Sequence, residues 1–331
     1  MEITAFGWFV TLAVILGLLA LDLAQSLRAH EVRFREATAW SVFYVAMALG
    51  FGLVFTSVVG GGYGVEYFAG YLVEKSLSID NLFVFVVIMS VFAVPRIHQH
   101  KVLIIGIMLA LLLRAIFIVI GARLISTFSF MFLVFGVLLV WTAVQLYRHR
   151  NQDPDVENNL LVRTARRVLP VTEEYQDGKL LTRINGRWMV TPLLIVLIAI
   201  GSTDILFALD SIPAVFGVTQ EAYIVFVANA FALLGLRALF FLVTGLLDRL
   251  VYLSTGLAVV LLLIGVKLIL HWGHTVNSRV PEIETPMSLT VIAVILTITV
   301  VASLWKVRRD PTATAHAGTV IAPRERERNR K

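Results

Sequence analysis

The stretch Ser78–Phe85 reads SIDNLFVF, and Ser202–Leu209 reads STDILFAL, with Ser, Asp, Leu and Phe shared at four of the eight positions. Each copy places an aspartate inside an apolar run. A second match follows each at nearly the same distance. Arg114–Gly121 reads RAIFIVIG and Arg237–Gly245 reads RALFFLVTG; Arg114 lies 34 residues after Asp80, and Arg237 lies 33 after Asp204. A further apolar run then follows in each unit, one holding Gly136 and the other Gly265. The chain therefore repeats a unit of three apolar runs.

Composition sets the solvent of that repeat. The 331 residues are 58% hydrophobic and 15% charged, with a mean hydropathy of +0.86. Soluble domains carry about a quarter charged residues. The apolar residues collect in runs close to the length of about 20 residues that crosses a bilayer. Nine such runs are expected, at about 5–24, 40–59, 77–94, 102–122, 128–147, 190–213, 221–247, 251–271 and 287–305. The first has neither a basic leading segment nor a small-residue cleavage site, so it reads as a membrane helix and not as a signal peptide. The fold class is an all-α polytopic membrane protein with about nine transmembrane helices.

Basic residues assign the sides. With the N-terminus outside, the inner segments hold 22 Lys and Arg and the outer segments three, namely Lys75, Arg123 and Arg279. This is a strong positive-inside bias. It explains the sequence pI of about 9.7 as topology and removes the reason to expect a nucleic-acid partner. The protein is read as multi-pass in the cell inner membrane, with the C-terminus cytoplasmic. Run 3 then crosses from outside to inside and run 6 from inside to outside, so the two units form an inverted repeat. The expected organisation is two peripheral runs in 1–60, a first repeat in 61–149, a cytoplasmic connector in 150–188, a second repeat in 189–275, a final run in 276–306 and a basic tail in 307–331. The connector reads as a plain link between the two halves, with a short hairpin or an amphipathic piece allowed; the tail reads as a disordered, solvated end, its glutamates weakening any contact with anionic membrane lipids.

Inverted repeats around a central site are a recurring plan for secondary transporters. The acids sharpen that reading. Glu74 precedes Asp80 by six residues and Asp210 follows Asp204 by six. Six helical residues span about 9 Å and 240° of turn, so two such acids do not share a face. Gly201 and Pro213 bracket the Asp204–Asp210 segment and predict a local break there. An aspartate at the centre of a membrane helix costs about 2.5–3.5 kcal/mol, which argues for function. Two uses remain open from the residues alone: an ion or proton site, or an internal ion pair of Asp80 or Asp204 with Arg114 or Arg237. Ser78, Asn81, Ser202, Thr203, Ser211 and Asn229 are neutral oxygen ligands within reach of such a site. Asn229 serves equally well as a helix–helix hydrogen-bonding residue. With no cysteine, a metal site would rely on oxygen or histidine, which suits hard divalent ions.

Other features read more simply. Gly60–Gly62 and Gly64 lack the lysine of a phosphate loop and make a turn. Lys267 is expected to snorkel near the outer interface. His98 with His100, and His271 with His274, are weak metal candidates. No HExxH, GxSxG or nucleotide-binding motif occurs, so the chain does not read as an enzyme or an ATP-driven pump, and no cofactor is expected.

The stretches EYFAGYLVEKSLSIDNLFVF at 66–85, GSTDILFALDSIPAVFGVT at 201–219 and NAFALLGLRALFFLV at 229–243 resemble the TerC integral membrane family, named for tellurium resistance. The resemblance covers about 1–306. Glu74, Asp80, Asp204 and Asp210 match the family's acidic positions, and the whole is similar to the Alx-like branch, whose members are linked to manganese export. The resemblance thus implies Mn²⁺ as the transported ion, with Ca²⁺ or another divalent cation as alternatives; export against a negative-inside potential calls for compensation such as inward protons, which acids that release a metal and bind a proton would supply. The metal-binding set expected is Asp80, Asp204, Asp210, Glu74, Asn81 and Asn229, with Arg114 and Arg237 as charge-pairing residues and Glu74 at the outer mouth. The family also implies two rivals: a membrane-protein assembly or scaffolding factor, and a tellurite-resistance component without direct metal transport.

Overall fold

Hydrocarbon offers no partner for backbone amides, so a run that spans it must satisfy them internally, and these runs fold as helices. The computed structural model describes residues 3–26, 34–152, 159–172, 174–184, 187–243 and 250–310. The first repeat unit and what precedes it form α1 (Ala5–Ser26), α2 (Phe34–Val59), α3 (Gly61–Val91), α4 (Arg96–Thr127) and α5 (Met131–Arg148). A short helix α6 (Leu160–Val168) and a hairpin of β1 (Leu181–Ile184) and β2 (Arg187–Val190) lead to the second unit. That unit consists of α7 (Pro192–Phe216), α8 (Ala222–Leu233), α9 (Leu236–Val243) and α10 (Leu253–Val276), and α11 (Thr285–Arg309) closes the described chain. Among the described residues seven helices are long and apolar enough to cross a membrane: α1, α2, α4, α5, α7, α10 and α11. The protein is an all-α, multi-pass membrane protein.

Each of the nine runs expected from sequence overlaps a helix, but two differ in form. The third begins at Gly61 instead of near 77, because Gly60, at φ +112°, turns the chain in a single residue after α2. At 1.5 Å per residue the resulting 31-residue α3 is about 46 Å long, well beyond a hydrocarbon core. Its polar first half hides inside the protein: Tyr67, Ala69, Gly70, Val73 and Glu74 are all buried. The seventh run is interrupted. Helix α8 stops at Leu233, Gly235 adopts φ +76°, and α9 starts at Leu236. A β-carbon on Gly235 would lie 2.6 Å from the Tyr44 ring of α2, so both backbone angle and space demand glycine.

The break expected between Gly201 and Pro213 is not there. Helix α7 runs unbroken through both. Pro213 falls in its last turn, where a missing amide disturbs little of the helix beyond it. Gly201 instead gives room to α4: its missing β-carbon would meet Leu109 at 2.8 Å.

Packing crosses between the two units. Helix α3 lies on α8, α4 lies on α7, and α5 pairs extensively with α10. The α5–α10 contact centres on the two glycines noted in the sequence. A β-carbon on Gly136 would meet the Gly265 carbonyl at 2.8 Å, and one on Gly265 would meet the Gly136 carbonyl at 2.9 Å. Backbones this close tolerate only glycine, as in small-residue membrane interfaces. Helices α1, α2 and α11 are less enclosed than α7 and α10.

The segment between the units is more than a plain connector. Val162 of α6 and Val190 of β2 are buried in one apolar cluster with Leu82, Leu103 and Leu193. Tyr175 donates to the Phe92 carbonyl at 2.5 Å and Lys101 to the Gly178 carbonyl at 2.7 Å. Burial pushes the Tyr175 phenol above its ordinary range, with Arg166 opposing. The described residues of this segment form a folded cap over the α3–α4 turn.

Candidate cation site

One face of α3 assembles the polar centre. Glu74, Ser78 and Asn81 follow at spacings of four and three residues and so line one side of the helix. Across from them α4 presents Arg114, fully buried at 0% exposure, in an ion pair with Glu74, also at 0%. Arg114 reaches a second carboxylate from the other unit: its Nη2 lies 3.7 Å from Oδ1 of Asp204 on α7, a residue 1% exposed. The Asn81 amide closes the group. With its oxygen facing the guanidinium it accepts from Arg114 Nη2 at 2.5 Å, while its nitrogen donates to the Leu77 carbonyl at 3.1 Å.

Two carboxylates around one guanidinium leave an excess of one negative charge if all are ionised. Several atoms also lack partners. Among the described residues, Glu74 Oε2, Asp204 Oδ2 and Ser78 Oγ are buried without a hydrogen bond. A buried group left unsatisfied costs about 1–3 kcal/mol, more when charged. These oxygens are therefore both costly and chemically open to a hard cation, which prefers carboxylate and carbonyl oxygen.

The remaining expected residues distribute differently. Asp80 is buried on another face of α3 with Oδ1 unbonded. Asp210 points to α5, where Thr142 donates to its Oδ1 at 2.9 Å. Asn229 is buried in α8 with its amide nitrogen unpartnered. Thus the structure gathers Glu74, Asn81, Arg114 and Asp204, and places Asp80, Asp210 and Asn229 outside that group. Glu74 sits within the protein, not at an exposed mouth. Among the described residues no three His, Asp or Glu side chains stand ready as a preassembled metal site.

Arg237 pairs with a carboxylate the sequence reading did not single out. Its Nε donates to Asp22 Oδ1 of α1 at 3.1 Å, and both residues are buried. The signal was present as a lone acid near the end of an apolar run, LLALDLA. Ser202 and Thr203 return their hydroxyls to the Ala199 carbonyl at 2.9 and 2.7 Å, so their protons are spent on their own helix. Lys267 does not snorkel. It is buried and donates to Thr285 at 3.2 Å. His271 bonds Glu282 at 2.6 Å, His274 meets the Val280 carbonyl at 2.7 Å, and the His100 ring packs tilted against Phe241.

Comparison with known proteins agrees with this architecture. Residues 59–311 match the model of the integral membrane protein TerC family. An uncharacterized membrane protein of Mycobacterium tuberculosis (strain H37Rv) is 46% identical over 325 residues, covering 94% of this chain and 82% of that protein. One from Myxococcus xanthus is 43% identical over 316 residues, covering 95% and 96%. A Salmonella typhi protein provisionally named membrane-bound redox modulator Alx is 37% identical over 309 residues, covering 91% and 94%. No solved structure gives a significant match. The chain belongs to the TerC family of integral membrane proteins.

Proposed function

We propose that the protein is a secondary transporter that exports a hard divalent cation, Mn²⁺ foremost, with protons as the counter-ion. The observation that carries this reading is the buried Glu74–Arg114–Asp204 bridge, which ties α3 and α4 of one unit to α7 of the other. A dication that takes the place of the guanidinium would neutralise both carboxylates, where the single charge of Arg114 leaves one uncompensated. The Asn81 oxygen and Ser78 hydroxyl lie on the same side of α3 and would add neutral ligands. Asp80, with its own unbonded oxygen, is a second stopping point, and Asp210 a third. Proton uptake by a carboxylate on release of the metal would restore the charge balance, which is the exchange a negative-inside membrane requires.

Two features support the inverted-repeat part of the reading. The cross-packing of α3 on α8 mirrors that of α4 on α7, and Gly136 and Gly265 meet reciprocally between α5 and α10. Counting α3 as a span and α8 with α9 as one interrupted span gives nine crossings in the inner membrane, N-terminus outside, as the basic residues demand. Interrupted helices at the centre of the fold are common in such transporters. The redox role in the Salmonella relative's name has no thiol to act through here, since the chain has no cysteine.

The test is flux. Purified protein in liposomes containing a metal-sensitive dye is expected to move Mn²⁺ at a rate set by an imposed pH gradient. Correctly folded protein that moves no divalent cation under any gradient sends the reading to its rival, a membrane-protein assembly factor.

A further inference from the structure

The turn of α3 that carries Glu74 also carries Lys75, and the two side chains leave the helix about 100° apart. Glu74 goes to α4. Lys75 goes to α8, where its Nζ donates to the Ala232 carbonyl at 3.0 Å. Ala232 is fully buried, and it lies one residue from the end of α8, where the helix is interrupted at Leu234 and Gly235. The last carbonyls of a helix have no intrahelical donors and carry the negative end of its dipole. In a span broken within the membrane those carbonyls need a donor or a cation. Among the described residues Lys75 makes no ion pair, and its one hydrogen bond is this carbonyl. Its charge is therefore held mainly by the helix end. One turn back on α8, Asn229 is 2% exposed with its amide nitrogen unpartnered, a second polar group without a full set of partners in the same short helix.

We propose that Lys75 is a tethered cation seated on the carbonyl end of the interrupted helix, and that the transported cation competes with it for that position. The inference rests on the transport reading above and deepens it, because it adds a carbonyl subsite at Ala232 to the carboxylate site at Glu74 and Asp204. The adjacency of Glu74 and Lys75 supplies the coupling. A dication that displaces Arg114 from Glu74 shifts the same turn of α3 that holds Lys75 on Ala232. The ammonium then leaves, the carbonyl becomes a ligand, and α8 is freed from α3 at its break. When the ammonium returns, it expels the ion. A single turn thus reads the site on one side and latches the broken helix on the other.

Lys75→Gln and Lys75→Arg test this. Glutamine can still donate to Ala232 without the charge, whereas arginine keeps the charge. In Lys75→Gln, the KM for Mn²⁺ flux is expected to fall about fivefold and turnover about tenfold, since binding loses its competitor and release loses its agent. Lys75→Arg should stay within about twofold of the parent on both measures. A merely structural lysine would lower turnover without lowering KM, and that result, or unchanged kinetics, overturns the proposal. Hydrogen exchange over 231–237 gives a readout free of transport: it should be faster in Lys75→Gln than in the parent, and equal exchange also overturns the latch. A parent protein that neither binds nor moves Mn²⁺ overturns the transport reading instead, and the exchange comparison then decides the latch alone.

Discussion

Arg114 is the residue on which most of the buried charge depends. It is surrounded by Glu74, Asn81 and Asp204, and none of the charged side chains in the group reaches solvent to any extent that would screen them. Breaking a buried pair by removing one partner costs about 3–5 kcal/mol, because the other charge is left uncompensated. Arg114→Met should therefore lower the midpoint of thermal unfolding in detergent sharply. Adding Glu74→Gln to it should restore part of the loss, since the orphaned charge is gone. An Arg114→Met protein as stable as the parent would show that the bridge contributes nothing. At this scale the sequence was informative about kinds of residue and less so about partners. The repeated SxDxLF motif drew attention to Asp80 and Asp204, and the spacing to the arginines pointed to ion pairs. Asp204 does meet one of those arginines, Arg114 of the opposite unit, but Arg237 meets Asp22 of α1 and Asp210 meets Thr142. Which acid finds which base depends on how helices cross, and a periodicity along one helix carries no information about its neighbour.

Among the elements, the interrupted α8–α9 span is the most constrained by its own chemistry. Gly235 combines a left-handed backbone with direct contact to the Tyr44 ring. A non-glycine residue held in such a conformation costs on the order of 1–3 kcal/mol, and the ring adds a clash. Gly235→Ala should lower thermal stability, and Tyr44→Leu in the same chain should return only the steric part. Full recovery in the double variant would place the whole effect in the clash. The break itself was not legible in the sequence, where 221–247 reads as one apolar run and the nearby Gly201 and Pro213 advertise a break in the wrong helix. Glycine is ambiguous for a simple reason: it allows a turn, as at Gly235, and equally allows close approach of an unbroken helix, as at Gly201 against Leu109. The length of α3 was hidden for the opposite reason. Its first half is too polar to read as membrane-embedded, and it is packing against the surrounding helices, with Arg114 of α4 as partner, that keeps Glu74 out of lipid.

For the whole molecule, a helical multi-pass architecture stands beside a basic-residue bias that reads as 22 to three in the sequence and loses one outer residue, Lys75, to the interior of α3. The helical class was legible, since apolar run length survives in a linear sequence; the repeat marked Gly136 and Gly265 as equivalent positions, but that they meet each other between α5 and α10 emerged only from the packing. Orientation makes a direct prediction. The chain lacks cysteine, so single cysteines can be introduced without background. One at Gly62, which is exposed with open space around its α-carbon, should react with a membrane-impermeant maleimide from outside the cell, and one at Asp177 only from inside. Labelling of position 177 from outside would dismantle the inverted-repeat argument. The central claim, however, is that the Glu74–Arg114–Asp204 bridge is where a divalent cation is taken up. The most direct measurement is Mn²⁺ flux into proteoliposomes by the parent and by Asp204→Asn, each checked for folding by its elution and thermal midpoint. The account predicts pH-gradient-dependent flux in the parent and a loss of at least about tenfold in Asp204→Asn, the size expected when a charged ligand is removed from a site of this kind; flux in a folded Asp204→Asn protein equal to the parent's would contradict it.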